Sequence, residues 1–292
     1  MKHVLRVKDW FHPDGFPISL ERRDPQEPFA PHAHEFTELV LVTSGSGRHT
    51  SGRESWQLAA GDVFAISGPR THVYENLSNL RLVNILYQPD ALPMPLLDLP
   101  SVPGYHALFT LRPQACRRTG MGRLHLGGRD LARIIRMVDR LETELTAREP
   151  GFAFLAMATF MELVGDLSRM YGRQPSTDED APFRIASALS HLEQNIAEDV
   201  NLQELARIAH MSRRNFLRVF HAATGLSPLV WLIERRIHRA CTLLLQTRRQ
   251  ITEIAFDVGF RDSNYFTRQF RKITGSTPSN YRKTAPPGIS QR

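Results

Sequence analysis

Cysteine and long apolar runs are the two features that this 292-residue sequence has least of. Its two cysteines, Cys116 and Cys241, lie far apart in the chain, which argues against a disulfide framework and against a metal site built on thiolates. No run of about 18 apolar residues occurs, and the N-terminus has no apolar segment of the signal-peptide type, so neither membrane spanning nor secretion is supported. We therefore expect a cytoplasmic protein without a membrane partner.

Common catalytic motifs are absent as well. The sequence has no phosphate-binding loop, no Ser/His/Asp spacing, and no paired carboxylates outside its N-terminal half. These absences predict a protein that is not an enzyme and that requires no cofactor.

Positive charge is confined to one end of the chain. Residues 183–292 contain 17 Lys and Arg against 8 Asp and Glu, whereas residues 1–182 contain 20 against 22. A basic module attached to a neutral one is typical of a protein that binds the phosphates of a polyanion. A solvated basic face without a function has the same composition, so charge alone leaves both interpretations open.

The spacing of apolar residues predicts a two-domain α+β protein. Within residues 1–128, runs at 38–50, 62–68 and 81–89 are β-branched or apolar and are broken by Gly, Ser or Pro. Short strands that follow one another closely favour an antiparallel barrel or sandwich.

The central segment 129–171 changes to a helical period. Apolar residues recur at helical spacing from Leu131 to Leu145, and a second helix over 152–171 is apolar nearly all round. The two helices either form a dimer interface or pack on the barrel, and the sequence leaves both alternatives open. Residues 172–182, polar and acidic with two prolines, are then predicted to be a linker to the domain 183–292.

Helix caps divide the C-terminal domain into short helices. Asn201 is a good N-cap with Glu204 placed to complete a capping box. Ser212 caps the next helix, which ends at Gly225, and Pro228 opens a long amphipathic helix. The order is helix, short turn, helix.

This arrangement occurs twice. Residues 251–260 match 202–211 at an offset of 49, and 266–278 match 216–228 at an offset of 50. In each copy a small alanine allows close helix approach, and two phenylalanines four residues apart point one face of the second helix inward. The opposite face is left free to enter a major groove of double-stranded DNA.

Side chains on that free face suit DNA. Arginine pairs bidentately with guanine and asparagine with adenine, while serine hydroxyls and helix N-termini suit phosphates. The candidate DNA-binding residues are Ser212, Arg213, Arg214, Asn215, Arg218, Ser263, Asn264, Thr267, Arg268 and Arg271. The alternative is a helical protein-interaction domain with incidental arginines.

The segment GFRDSNYFTRQFRKITGSTPSNYR (259–282) closely resembles the signature of the AraC/XylS family of bacterial regulators. The resemblance covers about residues 183–284. It implies seven helices, with the long helix 228–247 holding two helix-turn-helix units apart, and RNA polymerase as a partner. It also implies that Arg214, Arg218, Asn264 and Arg268 contact bases.

The strand-rich half contains His32-x-His34-x3-Glu38 and, later, Gly61-x5-Ser67-x-Pro69-x2-His72. This spacing resembles the two cupin motifs, although Ser67 and Pro69 depart from the usual proline and glycine and the first motif lacks its leading glycine. The resemblance implies a cupin-like antiparallel β-barrel and, as metal ligands, the residues His32, His34, Glu38 and His72.

Strand alternation by itself sends His32, His34 and Glu38 to one face. Three imidazoles and a carboxylate suit Zn, Ni, Fe or Mn. The alternative is that these residues bind a small effector directly, without a metal, or bond to one another.

The layout of the whole chain resembles the L-rhamnose-responsive activators of the same family, with the likeness carried by HAHEFTELVLVTSGSGRHT, GDVFAISGPRTH, RLVNILYQP and SVPGYHALF. This implies an activator that binds L-rhamnose or a related sugar in the barrel. From the helices 129–171 we expect a homodimer. Two other hypotheses remain open: a metal-dependent cupin enzyme with an accessory DNA-binding domain, and a regulator controlled by a partner protein.

Overall fold

The computed structural model describes residues 3–52, 54–68, 70–111, 122–173 and 181–283. It divides into two compact units, Met1–Ala186 and Ser187–Arg292. Most of the predicted linker 172–182, together with Pro69 and Cys116, lies outside the described residues. The two ends of that linker are helical, because its first residues end one helix and its last residues begin another.

The first unit is built on one sheet, which joins eight strands among the described residues. The strands are β1 (His3–Leu5), β2 (Ile18–Arg23), β3 (His32–His34), β4 (Thr37–Ser51), β5 (Glu54–Ala59), β6 (Asp62–Ser67), β7 (His72–Tyr87) and β8 (Arg123–His125). Their order is β1-β3-β7-β4-β6-β8, with β2 beside β7 and β5 beside β4. All pairs are antiparallel except β1 with β3.

Strand β7 is much longer than the sequence indicates, whereas β4 extends only one residue beyond each end of the predicted run 38–50. The strand predicted over 81–89 begins at His72, because the polar stretch 76–79 forms a bulge instead of a turn. The register between β4 and β7 shifts around Gly45, whose φ is +73° and which lies directly against the backbone of Asn79. A side chain at Gly45 would collide with that backbone, so glycine is required here.

In the described ranges of the first unit, four α-helices accompany the sheet. They are α1 (Val7–Trp10), α2 (Pro103–Tyr105), α3 (Gly128–Ala147) and α4 (Phe152–Arg173). A 3-10 turn (Leu99–Ser101) precedes α2 and a π turn (His106–Thr110) follows it. The segment predicted as two helices over 129–171 therefore forms α3 and α4.

Both faces of the sheet are buried. One face, with Leu39 and Leu41 of β4, packs with α3 and α4 in a single core. The alternate residues Val40 and Val42 point the other way and pack with Phe64 in the barrel interior. Of the two alternatives for the central helices, packing on the barrel accounts for their buried face.

The second unit is helical. Its helices are α5 (Ala181–Gln194), which spans the boundary between the units, α6 (Leu202–Ile208), α7 (Arg213–Thr224), α8 (Pro228–Gln246), α9 (Ile251–Asp257), α10 (Ser263–Thr274) and α11 (Pro278–Lys283). The number of helices within 181–283 agrees with the seven that the family resemblance implies. Helices α6–α7 and α9–α10 are the two helix-turn-helix units, and α8 joins them.

The two helix-turn-helix units differ in how their first helices, α6 and α9, begin. The Asn201 side chain accepts hydrogen bonds from the backbone of Gln203 and Glu204, as its N-cap role predicts. The capping box expected from Glu204 does not form, because Glu204 is directed towards His191, with Oε1 3.9 Å from Nε2. The reciprocal bond occurs in the second helix-turn-helix unit instead, where the backbone N–H of Gln250 donates to Glu253 Oε2 at 3.1 Å.

Within the described ranges, no single helix has the length and apolar composition needed to cross a membrane, and one bent pair, α7 with α8, passes that test only when combined.

Candidate functional sites

Helix α7 presents arginines opposite a buried aromatic face. Phe216 and Phe220 are fully buried, whereas Arg213, Arg214 and Arg218 are exposed. Burying the two rings fixes which face of the helix points outward, so the arginines lie on its solvent side.

The N-terminal turn of α7 is capped and partly ordered. Ser212 Oγ accepts a hydrogen bond from the backbone of Asn215 at 3.4 Å. The Asn215 side chain is half-buried, and its Oδ1 accepts from Arg218 Nη2 at 2.8 Å. Asn215, a sequence-predicted DNA contact, is therefore engaged in holding the Arg218 guanidinium.

Helix α10 repeats this design with other residues. Its cap is Asp262, whose carboxylate accepts from the backbone of Tyr265, and Ser263 is the first helical residue. Arg268 lies over the Tyr265 ring, with its guanidinium carbon 5.8 Å from the ring centre. Thr267 is half-buried, and its hydroxyl donates to the Ser263 carbonyl at 2.9 Å.

The remaining candidates of α10 lie at its surface. Asn264, Arg268 and Arg271 are exposed, whereas Phe266 and Phe270 are fully buried. As in α7, the aromatic pair separates the core face from a polar outer face. Both helices end at a glycine in the left-handed region, Gly225 and Gly275.

Inside the sheet of the first unit, His34, Glu38 and His72 form a buried cluster. Glu38 Oε2 lies 3.6 Å from His34 Nε2 and 3.4 Å from His72 Nε2. One possible ligand atom from each residue lies within 4.8 Å of the others. These three atoms are buried and have no hydrogen-bond partner among the described residues.

His32, the fourth residue singled out by the motif, lies beside this cluster and outside its ligand-atom set. Its ring centre is 4.3 Å from that of His72, and its Nδ1 lies 3.0 Å from the carbonyl oxygen of Ala30. The motif therefore brings three of its four predicted residues within reach of one ion.

Burial and mutual proximity determine the protonation of this cluster. Burial, followed by repulsion from His72, lowers the pKa of His32 to about 4. Burial also lowers the pKa of His34. Burial alone would raise the pKa of Glu38, but the nearby imidazoles of His72, His34 and His32 outweigh it and hold that pKa below its usual range. At neutral pH the cluster therefore combines a carboxylate with neutral imidazoles at His32 and His34.

Several further polar groups of the barrel interior escaped the sequence analysis. His49 is fully buried between the rings of Trp56 and Tyr74, and neither of its ring nitrogens has a hydrogen-bond partner in the described part of the chain. The Tyr74 hydroxyl, Asn84 Oδ1 and Trp56 Nε1 are also buried and find no partner there. Native proteins leave few buried polar atoms unsatisfied, so this concentration indicates a site for a polar ligand, an ion or water.

Strand parity carried a usable signal for two of these residues. Tyr74 and Asn84 are an even number of residues from His72 on β7, so both share its inward direction. His49 has the opposite parity to Glu38 on β4, and only the register shift between them turns it inward.

A cavity of about 460 Å³ opens onto this interior. Its floor includes Glu38, Tyr74 and Asn84, and aromatic walls are provided by Trp10 and Phe29. Its remaining lining residues are Leu5, Glu21, Arg22, Arg23, Asp24, Pro25, Gln26, Glu27, Pro28, His32, Phe36 and Leu86. The lining thus combines aromatic walls with many charged and polar side chains, which suits a polar small molecule.

Two family models match this chain. The AraC-like ligand binding domain matches residues 18–164, which include the barrel interior, and a helix-turn-helix domain matches residues 205–284. The chain belongs to the AraC family of transcriptional regulators. Family membership confirms the expected pairing of a cupin-like sheet domain with a helical DNA-binding domain.

Individual relatives align with nearly the whole length of this chain. It is 32% identical over 284 residues to the HTH-type transcriptional activator RhaR of Salmonella dublin, covering 96% of each protein. It is 29% identical over 285 residues to the activator of the same name from Escherichia coli K12, covering 97% of this chain and 98% of the relative. Among solved structures, an AraC-type regulator from Chromobacterium violaceum is 32% identical, with 36% of this chain and 95% of that chain covered and a TM-score of 0.34.

Proposed function

We propose that this protein is a sequence-specific transcriptional activator whose helices α7 and α10 read two successive major grooves of double-stranded DNA, under the control of a small sugar bound in the barrel. The observation that carries the proposal is the duplicated unit, in which each recognition helix buries two phenylalanines and exposes arginines on the opposite face. The activator names of the full-length relatives support the sign of regulation.

The proposed DNA contacts fall into two groups. Arg214, Arg218, Asn264 and Arg268 contact base edges, since arginine and asparagine form bidentate pairs with guanine and adenine. The groups proposed to position the protein on phosphates, or to support the reading residues, are Ser212, Arg213, Asn215, Ser263, Thr267 and Arg271.

The test is selection of binding sites from a random double-stranded library with the full chain. We expect two enriched half-sites about one helical turn apart, because one chain presents two recognition helices. Affinity for the selected site should fall steeply with salt, since phosphate contacts release counterions. Equal affinity for selected and scrambled DNA at every salt concentration would contradict the proposal.

The effector proposal rests on the cavity and the unpartnered polar atoms at its floor. A hydroxylated ring of hexose size both donates and accepts hydrogen bonds, which suits Glu38, Tyr74 and Asn84, while its apolar face suits Trp10 or Phe29. The resemblance to L-rhamnose-responsive activators favours a deoxyhexose. His32, His34 and His72 then support Glu38 from the side.

A thermal-shift panel of L-rhamnose, other deoxyhexoses, aldoses and uronates on the full chain tests this assignment. We expect stabilisation by a deoxyhexose, and loss of that stabilisation in Asn84→Ala and Glu38→Gln. Exposed Glu35→Gln is the matched control. If no sugar raises the melting temperature, the effector is of another class and control by a partner protein becomes the better hypothesis.

A divalent metal is favoured by one specific observation. His34 Nδ1 lies 2.6 Å from the Phe36 carbonyl oxygen, to which it donates, so a neutral His34 directs the lone pair of Nε2 towards the carboxylate of Glu38. Two acceptors 3.6 Å apart need a cation or a proton between them. Ligand atoms about 2.0–2.1 Å from a tetrahedral ion lie about 3.3 Å apart. The separations of Glu38 Oε2 from His34 Nε2, 3.6 Å, and from His72 Nε2, 3.4 Å, are close to that value. Bound there, such an ion would polarise an effector hydroxyl.

Metal analysis of the purified full chain, beside His34→Ala, separates this alternative from a metal-free pocket. Stoichiometric Zn, Ni, Fe or Mn that is lost in the variant supports the metal site. Turnover of candidate sugars by the loaded protein would instead favour the cupin-enzyme hypothesis.

We also propose a cytoplasmic homodimer that recruits RNA polymerase. Phe154 and Leu155 near the start of α4 are 77% and 49% exposed, so this helix retains apolar surface that a second copy would cover. Sedimentation of the full chain should show a dimer, and Phe154→Ser should shift it towards monomer while leaving the folded fraction unchanged.

A further inference from the structure

Arg236 lies in the middle of α8 and is almost completely buried, with 7% of the residue exposed. Its guanidinium donates to three backbone carbonyls. Nε bonds to Ile196 at 2.7 Å, Nη2 to Glu198 at 2.6 Å, and Nη1 to Gly259 at 2.8 Å. A buried cation placed against carbonyl groups instead of a carboxylate is unusual, because burial of a charge is costly unless every donor is satisfied.

The three carbonyls belong to different parts of the helical unit. Ile196 and Glu198 lie in the loop that follows α5, and Gly259 lies in the turn between α9 and α10. Arg236 therefore joins the end of α5, the connecting helix α8 and the turn of the second helix-turn-helix unit.

Gly259 shows how closely these parts approach. A Cβ placed there would lie 2.7 Å from the Cα and carbonyl oxygen of Ala197 and 2.8 Å from the guanidinium carbon of Arg236. The φ of Gly259 is +95°, a conformation that other residues rarely adopt. The turn thus packs backbone to backbone against the loop after α5, leaving no space for a side chain.

Ile237, Ala240 and Leu244 of α8 pack with Phe266 and Phe270 of the second helix-turn-helix unit. The hydrophobic contribution of these contacts is itself non-directional. Three charge-assisted hydrogen bonds in a rigid planar fork do restrict the angle.

We infer that Arg236 is a positioning residue that sets the angle and separation of the recognition helices α7 and α10, and so determines which spacing between DNA half-sites the protein accepts. The inference rests on the proposed reading of two half-sites by one chain. One base pair changes the separation by about 3.4 Å and the facing by about 35°. A rigid junction would reject that change, whereas a loose one would accommodate it.

The experiment measures the affinity of the full chain for a selected site, for the same site with one base pair added or removed between its half-sites, and for each half-site alone. The variants are Arg236→Lys, which keeps the charge and loses the fork, and Arg236→Ala. Arg239→Lys, an exposed arginine one turn further along α8, is the matched control.

We expect the wild type and Arg239→Lys to prefer the native spacing by about tenfold or more, and both Arg236 variants to prefer it by less than about threefold. The affinity of the Arg236 variants for single half-sites should change by less than about twofold. A general loss of folded protein would instead lower the affinity for single half-sites as well. Full retention of the spacing preference in folded Arg236→Lys would overturn the inference.

Hydrogen exchange of the wild type provides a second test that needs no variant. If Arg236 joins the two segments, amides of the loop 195–199 and of the turn 258–260 should open together, with similar protection. A loop that exchanges far faster than the turn contradicts the inference. Wild-type protein that selects a DNA sequence but ignores spacing also contradicts it, whereas failure to select any sequence contradicts the proposed function itself.

Discussion

The sheet unit and the helical unit differ in where their candidate functional polar groups lie. In the sheet unit the candidate groups are inside, where His34, Glu38, His49 and His72 are at most 5% exposed. In the helical unit the candidate arginines are outside, and the interior around Phe216, Phe220, Phe266 and Phe270 is aromatic and aliphatic. This difference agrees with the proposal that the sheet unit encloses a small effector and that the helical unit binds the surface of DNA.

This difference changes what stabilises each unit. Apart from the buried Arg236, the helical unit follows the usual rule of apolar residues inside and charges in water. Most of the buried polar atoms that lack a hydrogen-bond partner among the described residues belong to the sheet unit, and each costs about 1–3 kcal/mol when left unsatisfied. A ligand that satisfies those atoms should therefore stabilise the sheet unit more than the helical one.

The largest expected difference between the sheet unit and the helical unit is the loss of folding stability at acidic pH. The pKa of His32 is about 4 in the fold against an ordinary 6.5, so between these values the unfolded chain binds a proton that the folded chain refuses. The stability that His32 contributes is present above pH 6.5 and is lost as the pH falls towards 4, by up to about 3 kcal/mol. His34 and His49, whose pKa values burial also lowers, act in the same direction.

Denaturant melts at pH 7, 5.5 and 4.5 measure this effect. The fluorescence of the sheet unit, through Trp10 and Trp56, should report a steeper loss than that of Trp231 in the helical unit. The helical unit also contains a histidine with a burial-lowered pKa, His238, and should weaken less. His32→Gln should flatten the loss, and a pH-independent sheet unit would show that the cluster titrates normally.

The next effect concerns the outward face. Arg218→Ala and Arg268→Ala should each weaken binding to a selected DNA site by about 1–3 kcal/mol, because each removes a bidentate base contact. They should relax base preference at positions about one helical turn apart. Binding assays against single-base variants of the site check this, and equal weakening on all sequences would reduce the two arginines to phosphate contacts.

A smaller expected effect on DNA affinity comes from the residues that support the arginines, which differ between α7 and α10. Asn215 holds Arg218 by a hydrogen bond, whereas Tyr265 supports Arg268 through its ring. Asn215→Ala and Tyr265→Leu should each cost about 0.5–1 kcal/mol of DNA affinity, since the arginine remains but is less ordered. In a double-mutant cycle, Asn215→Ala should have no further effect once Arg218 is alanine. An additive cycle would indicate that Asn215 contacts DNA on its own.

The smallest effect concerns the turns. His210 lies in the turn of the first helix-turn-helix unit, at the position that Gly259 occupies in the second. Its φ of +49° is strained for a residue with a side chain. His210→Gly should raise the free energy of unfolding by no more than about 1 kcal/mol, because relief of strain is partly offset by the added freedom of the unfolded chain. Denaturant titration against exposed His221→Gly, which should destabilise its helix, provides the comparison.

Local patterns predicted the helical unit closely because its functional surface follows from sequence neighbours. Caps, the alanine and the phenylalanine pair recur at a constant offset, and a helical period places the arginines opposite the core without any long-range information. The wrong detail, the capping box at Glu204, arose from a tertiary neighbour, His191, which draws that carboxylate away.

The sheet unit could be predicted only in part. Alternation correctly grouped His34 with Glu38, but His49 lies beyond a bulge that reverses parity, and the bulge depends on pairing between β4 and β7. Neither the ring cluster around His49 nor the separation of His32 from the ligand-atom set could be derived from residue spacing.

The sequence by itself determined the family, through its signature segment, and the duplicated helix-turn-helix unit. It also determined which residues of that unit face outward, because this depends on periodicity within single helices. Only the tertiary structure decided which barrel residues face one another and that Arg236 joins α5, α8 and the second turn. Those arrangements depend on strand register and on contacts between residues 40 or more positions apart in the chain, which no local pattern encodes.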